Sequence, residues 1–176
     1  MIDSSIRTVE WKDNKVVMID QTKLPNHLVF VTFDDYNQVA DAIRTLVVRG
    51  APAIGVSGAF GLALAGLQSN AITKDQLILD LEKARKILYD TRPTAVNLKW
   101  GLDKIMNVAN SGNTVEQIKQ SIINEAKKMA EEDIEINKTM GKFGSVLFDN
   151  NDTIMTHCNA GAPLTTRFLI ASATWL

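Results

Sequence analysis

The stretch VVRGAPAIGVSGAFGLALAG, residues 47–66, decides how this chain can fold. It contains a single charged residue, Arg49, and no other charge follows until Lys74. Because about 20 apolar residues can span a bilayer, the stretch could be a membrane span, a buried helix or an anion site at a helix start. The repeated glycines, Pro52 and the lack of a flanking aromatic belt argue against a span. The stretch therefore predicts a tightly packed helix with Pro52 in its first turn.

The composition limits the classes of protein that the chain can represent. Its 176 residues suffice for one domain, or for one domain and part of another. Lys and Arg total 19 and Asp and Glu total 20, so there is no basic excess of the kind that nucleic-acid binding requires. The single Cys158 excludes an internal disulfide framework, and the start MIDSSIRTVEW lacks the features of a signal peptide. We expect a cytoplasmic protein without nucleic-acid or membrane partners.

The N-terminal segment predicts a small antiparallel β element. The runs IRTVEW and KVVMID are strand-like and are joined by KDN, a plausible hairpin turn. A third apolar run, HLVFVTF, is rich in residues that favour strands. His27 heads this run, and we expect it to be a partly buried structural residue.

The next segment predicts a helix that leads into the buried stretch. In NQVADAIRTLVV, the apolar residues Val39, Ile43, Leu46 and Val47 recur at the spacing of one helix face. Gly50 can adopt the left-handed backbone that ends such a helix. Arg49 is therefore expected to lie in a turn between two helices.

Three further helices carry their own start signals. Two of them begin with a capping box, TKDQ at 73–76 and TVEQ at 114–117. The third lies between these two in NLKWGLDKIMNVANSG and ends at residues 110–112. The helix from Thr114 is expected to continue to about Met140, and TIMTHC at 153–158 reads as a buried strand. The positions predicted to face the core are Leu77, Leu81, Ala84, Leu88, Leu98, Leu102, Ile105, Ile118, Ile122, Ala126 and Met129.

The start of the buried helix is a candidate phosphate site. The first N–H groups of a helix lack internal partners and attract anions, and Gly50 and Ala51 leave room for one to approach. Arg49 could add a bidentate contact. The alternative is that Arg49 is a surface residue that caps the end of the preceding helix. A nucleotide P-loop is excluded because Val56 stands where its lysine should be.

Two more residues are candidates for the same chemistry. In DTRPTAVNL, Pro93 disfavours helical geometry at Arg92, which places that arginine in a turn just ahead of a helix. Arg49 and Arg92 could meet on one phosphate, or both could be ordinary loop charges. Cys158 could be a reactive thiol at a strand end, or a small core residue.

Four motifs in order resemble the methylthioribose-1-phosphate isomerase family. They are IDQTKLP at 19–25, VVRGAPAIGVSGAFGLALA at 47–65, TRPTAVNLKWGLD at 91–103 and THCNAGA at 156–162. That family is related to regulatory subunits of translation initiation factor two B and to ribose-1,5-bisphosphate isomerase. The resemblance implies an aldose–ketose isomerase of methionine salvage. It also implies that Arg49, Gly50, Ala51 and Arg92 bind the sugar-phosphate substrate, that Cys158 is catalytic, and that no metal ion or cofactor takes part.

The resemblance further implies an α+β chain of two parts. Residues 1–148 would form a mostly helical domain with the small antiparallel sheet, and residues 149–176 would begin a Rossmann-like domain with its first strand. After Ala162 the tail PLTTRFLIASATWL departs from the motifs, which suggests a frameshift or a truncation. Family members place a catalytic aspartate in the second domain, so we expect this chain to be inactive alone and to form homodimers or self-associate. The alternatives are a non-catalytic regulatory subunit and a ribose-1,5-bisphosphate isomerase.

Overall fold

The computed structural model describes residues 6–149 together with residues 152, 153 and 155. These residues form a mostly helical fold with one small sheet, which confirms the α+β class predicted from the sequence. The elements in chain order are β1 Val9–Lys12, β2 Lys15–Ile19, a 3₁₀ helix Gln21–Lys23, β3 Phe30–Phe33, α1 Tyr36–Arg44, α2 Ala51–Gln68, α3 Lys74–Tyr89, α4 Val96–Ser111 and α5 Val115–Ser145.

The sheet has the strand order β1-β2-β3, and both pairings are antiparallel. Asp13 and Asn14 connect β1 to β2 with positive φ angles of 50° and 58°, the backbone that a two-residue hairpin turn favours. The expectation for His27 was wrong, because His27 is exposed and lies before β3. Its N–H donates to the carbonyl of Lys23 at 3.0 Å, so the backbone turns there and the strand begins only at Phe30.

Helix α1 is shorter than the sequence pattern predicts. It ends at Arg44 rather than near Val48, because both the N–H and the hydroxyl of Thr45 donate to the carbonyl of Asp41 and close the last turn. Leu46 follows with a φ angle of 65°, and its side chain is exposed rather than buried on the helix face. Gly50 also has a positive φ angle, 94°, but it precedes α2 instead of ending α1.

Helix α2 is the centre of the core. Every residue from Ala53 to Gly66 is buried, and all four other α-helices contact α2. Among the described residues, α2 is the helix that is long and apolar enough to cross a membrane, yet it lies inside the fold. The predicted buried helix is therefore confirmed, and the other α-helices pack around it.

Glycines bring α2 and α4 into backbone contact. A Cβ atom added at Gly101 would lie 2.5 Å from the carbonyl oxygen of Gly55, and one at Gly55 would lie 2.8 Å from the carbonyl oxygen of Asn97. No real Cβ atom fits at such distances. The N-terminal part of α4 therefore lies directly against the second turn of α2.

The capping residues of α3 and α5 are those that the sequence predicts. Thr73 accepts a hydrogen bond from the N–H of Gln76 at 3.3 Å, and Thr114 accepts one from the N–H of Gln117 at 3.2 Å. All the predicted core positions on α3, α4 and α5 are buried. Helix α5 continues past Met140 to Ser145, and beyond Ile134 its apolar side chains are exposed.

The predicted strand at 153–158 lies largely outside the described residues. Of its members the structure describes Thr153 and Met155, which are exposed and belong to no strand. The described sheet consists of β1 to β3, so neither residue has a neighbouring strand to pair with. Cys158 lies outside the described residues, and the division into 1–148 and 149–176 stays a prediction.

Candidate anion-binding site

Helix α2 begins without a capping side chain. Gly50 is its N-cap residue and makes no side-chain hydrogen bond to the first turn. The first bond inside the helix joins the N–H of Ile54 to the carbonyl of Gly50 at 2.9 Å. The N–H groups of Ala51 and Ala53 therefore have no partner within the helix, while Pro52 has no N–H at all. Ala51 is exposed, so solvent and solutes reach the very start of the helix, whereas Ala53 is buried one step further in.

Helix α4 begins in the same way. Its N-cap residue is Ala95, which offers no side-chain oxygen to the first turn. The N–H of Arg92 donates to the carbonyl of Tyr89 at 3.2 Å, and the carbonyl of Arg92 accepts from the N–H of Ala95 at 3.0 Å. Arg92 thus lies in a turn just ahead of the helix, as the sequence predicts, and it is half-buried.

The remaining described α-helices are capped by side chains. Asp35, Thr73 and Thr114 each accept a hydrogen bond from the first turn of α1, α3 and α5. Among the described helices, those that lack such a cap are α2 and α4, which directly follow the turns of Arg49 and Arg92. The N–H groups at these two starts lie behind two arginines, which is the arrangement that an anion could complete.

The two uncapped starts lie at the same end of the α2–α4 pair. Gly55, which contacts Asn97 in the first turn of α4, is only about 6 Å along the helix axis from Ala51. The turn of Arg92 therefore approaches the same end of α2 as the turn of Arg49. That both guanidinium groups contact one anion stays a prediction.

Arg49 and Arg92 differ from the other described arginines in their partners. Arg7, Arg44 and Arg85 each form an ion pair with a carboxylate, to Glu131, Asp41 and Asp103 respectively. Within the part of the chain that the structure describes, Arg49 and Arg92 form no ion pair. Their charge is available to a ligand. Because α1 ends at Arg44, Arg49 is not in its last turn, which removes the alternative of a capping role there.

An ion-pair network joins α4 to α3 on another side of the helix. Arg85 of α3 and Lys99 of α4 both bond to Asp103. Partial burial acts to raise the pKa of Asp103, but the hydrogen bonds from Lys99 and Arg85 outweigh it and hold the pKa below its usual value. The hydrogen bond to Asp103 also raises the pKa of Arg85. Arg85 also pairs with Glu82 at 3.3 Å, so two cations face two carboxylates in this network, which holds α4 against α3.

The sequence interpretation missed Gln21. Its side-chain amide donates to the carbonyl of Arg49 at 3.2 Å, and its backbone N–H donates to the carbonyl of Val47 at 2.9 Å. Gln21 lies in the motif IDQTKLP, which the sequence analysis quoted without assigning a role to any residue. No local pattern could reveal the contact, because 28 positions separate the two residues.

Comparison with known proteins places the chain in a family. The Initiation factor 2 subunit family matches residues 47–174, and the chain belongs to this family. The match extends past Ala162, where the quoted motifs end, and it includes most of the tail.

Several curated relatives have the name methylthioribose-1-phosphate isomerase. The protein of Geobacter metallireducens is 43% identical over 159 residues, which cover 89% of this chain and 46% of the relative. The protein of Trichlorobacter lovleyi is 45% identical over 159 residues with the same coverage. The chain therefore spans less than half the length of these relatives.

Two solved structures share the fold. The 5-methylthioribose 1-phosphate isomerase of Pyrococcus horikoshii OT3 matches with a TM-score of 0.88 and 43% identity, over 95% of this chain and 48% of that one. The translation initiation factor eIF-2B subunit delta from A. fulgidus matches with a TM-score of 0.85 and 43% identity, over 92% of this chain and 47% of that one. Both likenesses support the α+β fold described above.

Proposed function

We propose that this chain is the phosphate-binding part of a cytoplasmic methylthioribose-1-phosphate isomerase, which converts 5-methylthioribose 1-phosphate to 5-methylthioribulose 1-phosphate in methionine salvage. One observation carries the proposal: among the described residues, the two arginines without a carboxylate partner precede the two α-helices without a capping side chain, and these helices start side by side. The names of the relatives agree with this chemistry.

The phosphate would be held by groups of both turns. The N–H groups of Ala51 and Ala53 point along the axis of α2, whose N-terminus carries a partial positive charge. Gly50 has no side chain to block the approach, and Arg49 and Arg92 can each donate two hydrogen bonds to phosphate oxygens. Pairing a dianion with two guanidinium groups neutralises its charge, so the sugar can enter a site that excludes water.

The chemical step requires proton transfer. A phosphate on the anomeric carbon prevents spontaneous ring opening, so the protein must assist that step before hydrogen moves between C2 and C1. Cys158 is proposed as one of the groups that handle these protons. A residue in such a role contributes about 10²–10⁴-fold to the rate.

Phosphate binding tests the proposal directly. Titration of the chain with inorganic phosphate and with 5-methylthioribose 1-phosphate should shift the amide resonances of Ala51 and Ala53 in NMR spectra. Arg49→Ala and Arg92→Ala should each weaken binding by about 1.5–3 kcal/mol. Lysine at either position should restore only part of the affinity. Arg44→Ala is the matched control, because Arg44 is an exposed arginine whose partner is Asp41. Equal affinities in all variants would contradict the proposal.

Turnover tests the enzymatic part. A chimera joins residues 1–162 to the second half of the Pyrococcus horikoshii enzyme, and it is assayed beside the unmodified chain. We expect turnover of 5-methylthioribose 1-phosphate by the chimera, no turnover by the chain alone, and a loss of about 10²–10⁴-fold in Cys158→Ser. Undiminished turnover in Cys158→Ser would reject the role of this thiol.

A regulatory subunit is the second candidate, and its fold likeness to the eIF-2B subunit delta favours it. A regulatory protein that works through subunit contacts has no need of Arg49 and Arg92 as phosphate ligands. A chimera that binds phosphate but converts neither 5-methylthioribose 1-phosphate nor ribose 1,5-bisphosphate would favour this candidate. Turnover of ribose 1,5-bisphosphate alone would favour the bisphosphate isomerase.

Self-association is the proposed quaternary behaviour, and helix α5 supports it. Ile136, Met140 and Phe143 are exposed and continue the heptad-like spacing of the buried residues Ile122 and Met129. A second copy could cover this apolar face by symmetric pairing. Phe143→Glu should reduce the mass measured by light scattering at high concentration, whereas Leu79→Glu, a control at an exposed apolar position of α3, should not. Equal masses would contradict this interface.

A further inference from the structure

The turn that contains Arg49 has only weak backbone hydrogen bonds to the preceding helix. Leu46 and Gly50 both have positive φ angles, 65° and 94°, and Leu46 is not a glycine. The backbone bonds from Leu46 to Ile43 and from Val48 to Ala42 are both long, at 3.4 Å. A backbone of this kind persists only when its surroundings hold it.

Gln21 supplies two of the bonds that hold this turn. Its backbone N–H donates to the carbonyl of Val47 at 2.9 Å, and its side-chain amide donates to the carbonyl of Arg49 at 3.2 Å. The two acceptors stand on either side of Val48, whose side chain is fully buried. One residue thus fixes the peptide planes just before Gly50, and these planes determine the direction in which the first turn of α2 begins.

Gln21 is itself anchored to the sheet. The preceding residue, Asp20, is 9% exposed, and its carboxylate accepts from the N–H of Thr22 at 3.0 Å and from the Thr22 hydroxyl at 2.6 Å. The N–H of Asp20 donates to the carbonyl of Val29 at 2.8 Å. The 3₁₀ helix is therefore fixed at the end of β2, and Gln21 projects from a rigid support to the turn.

We propose that Gln21 is a positioning residue for the phosphate site, which it organises by holding the Arg49–Gly50 backbone in the orientation that aims the N–H groups of Ala51 and Ala53 at the anion. The proposal rests on the proposed function, because it assumes that an anion binds at the start of α2. Gln21 would act through the backbone of Arg49, whose carbonyl accepts its side-chain amide. Its effect should therefore appear in phosphate affinity.

The test compares Gln21→Met with Gln68→Met. Gln68 is a matched control because its side-chain amide also donates to a distant backbone carbonyl, that of Asp34, but at the opposite end of α2. The dissociation constant for inorganic phosphate is measured by NMR titration well below the melting temperature of each variant. Loss of one hydrogen bond should raise this constant by about 2–12-fold in Gln21→Met, since such a bond contributes about 0.5–1.5 kcal/mol, and Gln68→Met should match the wild type.

Two further measurements keep the outcome clear. Gln21→Asn retains the amide but is one methylene too short to reach Arg49, so it should weaken binding as Gln21→Met does, and it serves if the methionine variant fails to fold. A merely structural role would lower the melting temperature without changing the phosphate dissociation constant. That result would overturn the positioning role while Arg49→Ala still weakened binding. If the wild type and Arg49→Ala bound phosphate equally poorly, the proposed function would fail and this inference with it.

Discussion

The two ends of α2 are satisfied in opposite ways. At the C-terminal end, Lys119 donates to the carbonyl of Ser69, and Gln68 donates to the carbonyl of Asp34. The Ser69 hydroxyl donates to Asp80 at 2.8 Å and accepts from the N–H of Ala71 at 3.1 Å. At the N-terminal end Gly50 offers no cap to the first turn. The fold closes one end of its central helix with its own side chains and leaves the other end without a capping side chain.

The difference between the capped and the uncapped end arises from the elements that pack there, because α2 itself supplies almost no polar side chains. The first turn of α4 reaches the N-terminal end of α2, but it brings Asn97 and a second uncapped start rather than a capping hydroxyl. Four helices surround α2, so its position is fixed without a cap. Packing can thus tolerate two helix starts without side-chain caps, and these are the starts that the proposed phosphate would complete.

The largest expected effect comes from separating α2 and α4. In Gly101→Ala the new Cβ atom would lie 2.5 Å from the carbonyl oxygen of Gly55, and neither backbone can yield without moving its helix. We expect unfolding in urea to show a loss of about 1–3 kcal/mol or more, together with weaker phosphate binding. Gly141→Ala is the control, because nothing lies within 4 Å of that site, and it should stabilise α5 by about 0.5–1 kcal/mol. Similar stabilities of the two variants would contradict the close packing.

A change at the open end should affect stability less and binding more. Gly50 has a φ angle of 94°, so Gly50→Ala should cost about 1–2 kcal/mol of unfolding free energy. The added methyl group would also stand in the path of the anion, so phosphate affinity should fall as well. Calorimetric titration with phosphate checks this result. Unchanged affinity would mean that the anion does not approach the N-terminus of α2.

A change at the closed end should affect stability alone. Lys119→Met removes the hydrogen bond to the carbonyl of Ser69, so we expect a loss of about 1 kcal/mol in urea unfolding. Phosphate affinity should stay within about twofold of the wild type, since the site lies at the other end of the helix. A large loss of affinity would show that the two ends are coupled.

The smallest expected effect is on the pH dependence of the unfolding free energy at acidic pH. The pKa of Asp103 is lowered in the folded chain because the hydrogen bonds from Lys99 and Arg85 outweigh partial burial. Its ion pairs therefore contribute stability above the unfolded pKa, about 3.9, and this contribution is lost as the pH falls through the lower folded value. Urea unfolding from pH 7 downward should show a shallower loss in Asp103→Asn than in the wild type. Identical pH profiles would contradict a role for this network.

Features that depend on neighbouring residues follow from the amino-acid sequence alone. Thr73 and Thr114 cap the helices that follow them because a capping hydrogen bond spans only three positions. The uncharged run of α2 predicts burial because its apolar residues lie on all sides of the helix, which leaves no polar face to turn toward water. The two turns are also local features. Gly50 and Pro52 produce the turn at Arg49, and Pro93 produces the turn at Arg92.

Features that depend on distant residues follow only from the folded chain. Only the fold shows that Arg7 and Arg85 pair with carboxylates on other elements, because those partners are far away in the sequence, whereas Arg49 and Arg92 pair with none within the described part of the chain. The early end of α1 and the exposed position of His27 likewise depend on hydrogen bonds that periodicity does not encode. The contact between Gln21 and Arg49 exists only because the sheet packs beside the start of α2. Local hydrogen bonds follow from chain geometry, but the choice among distant partners is made by the packing of the whole core.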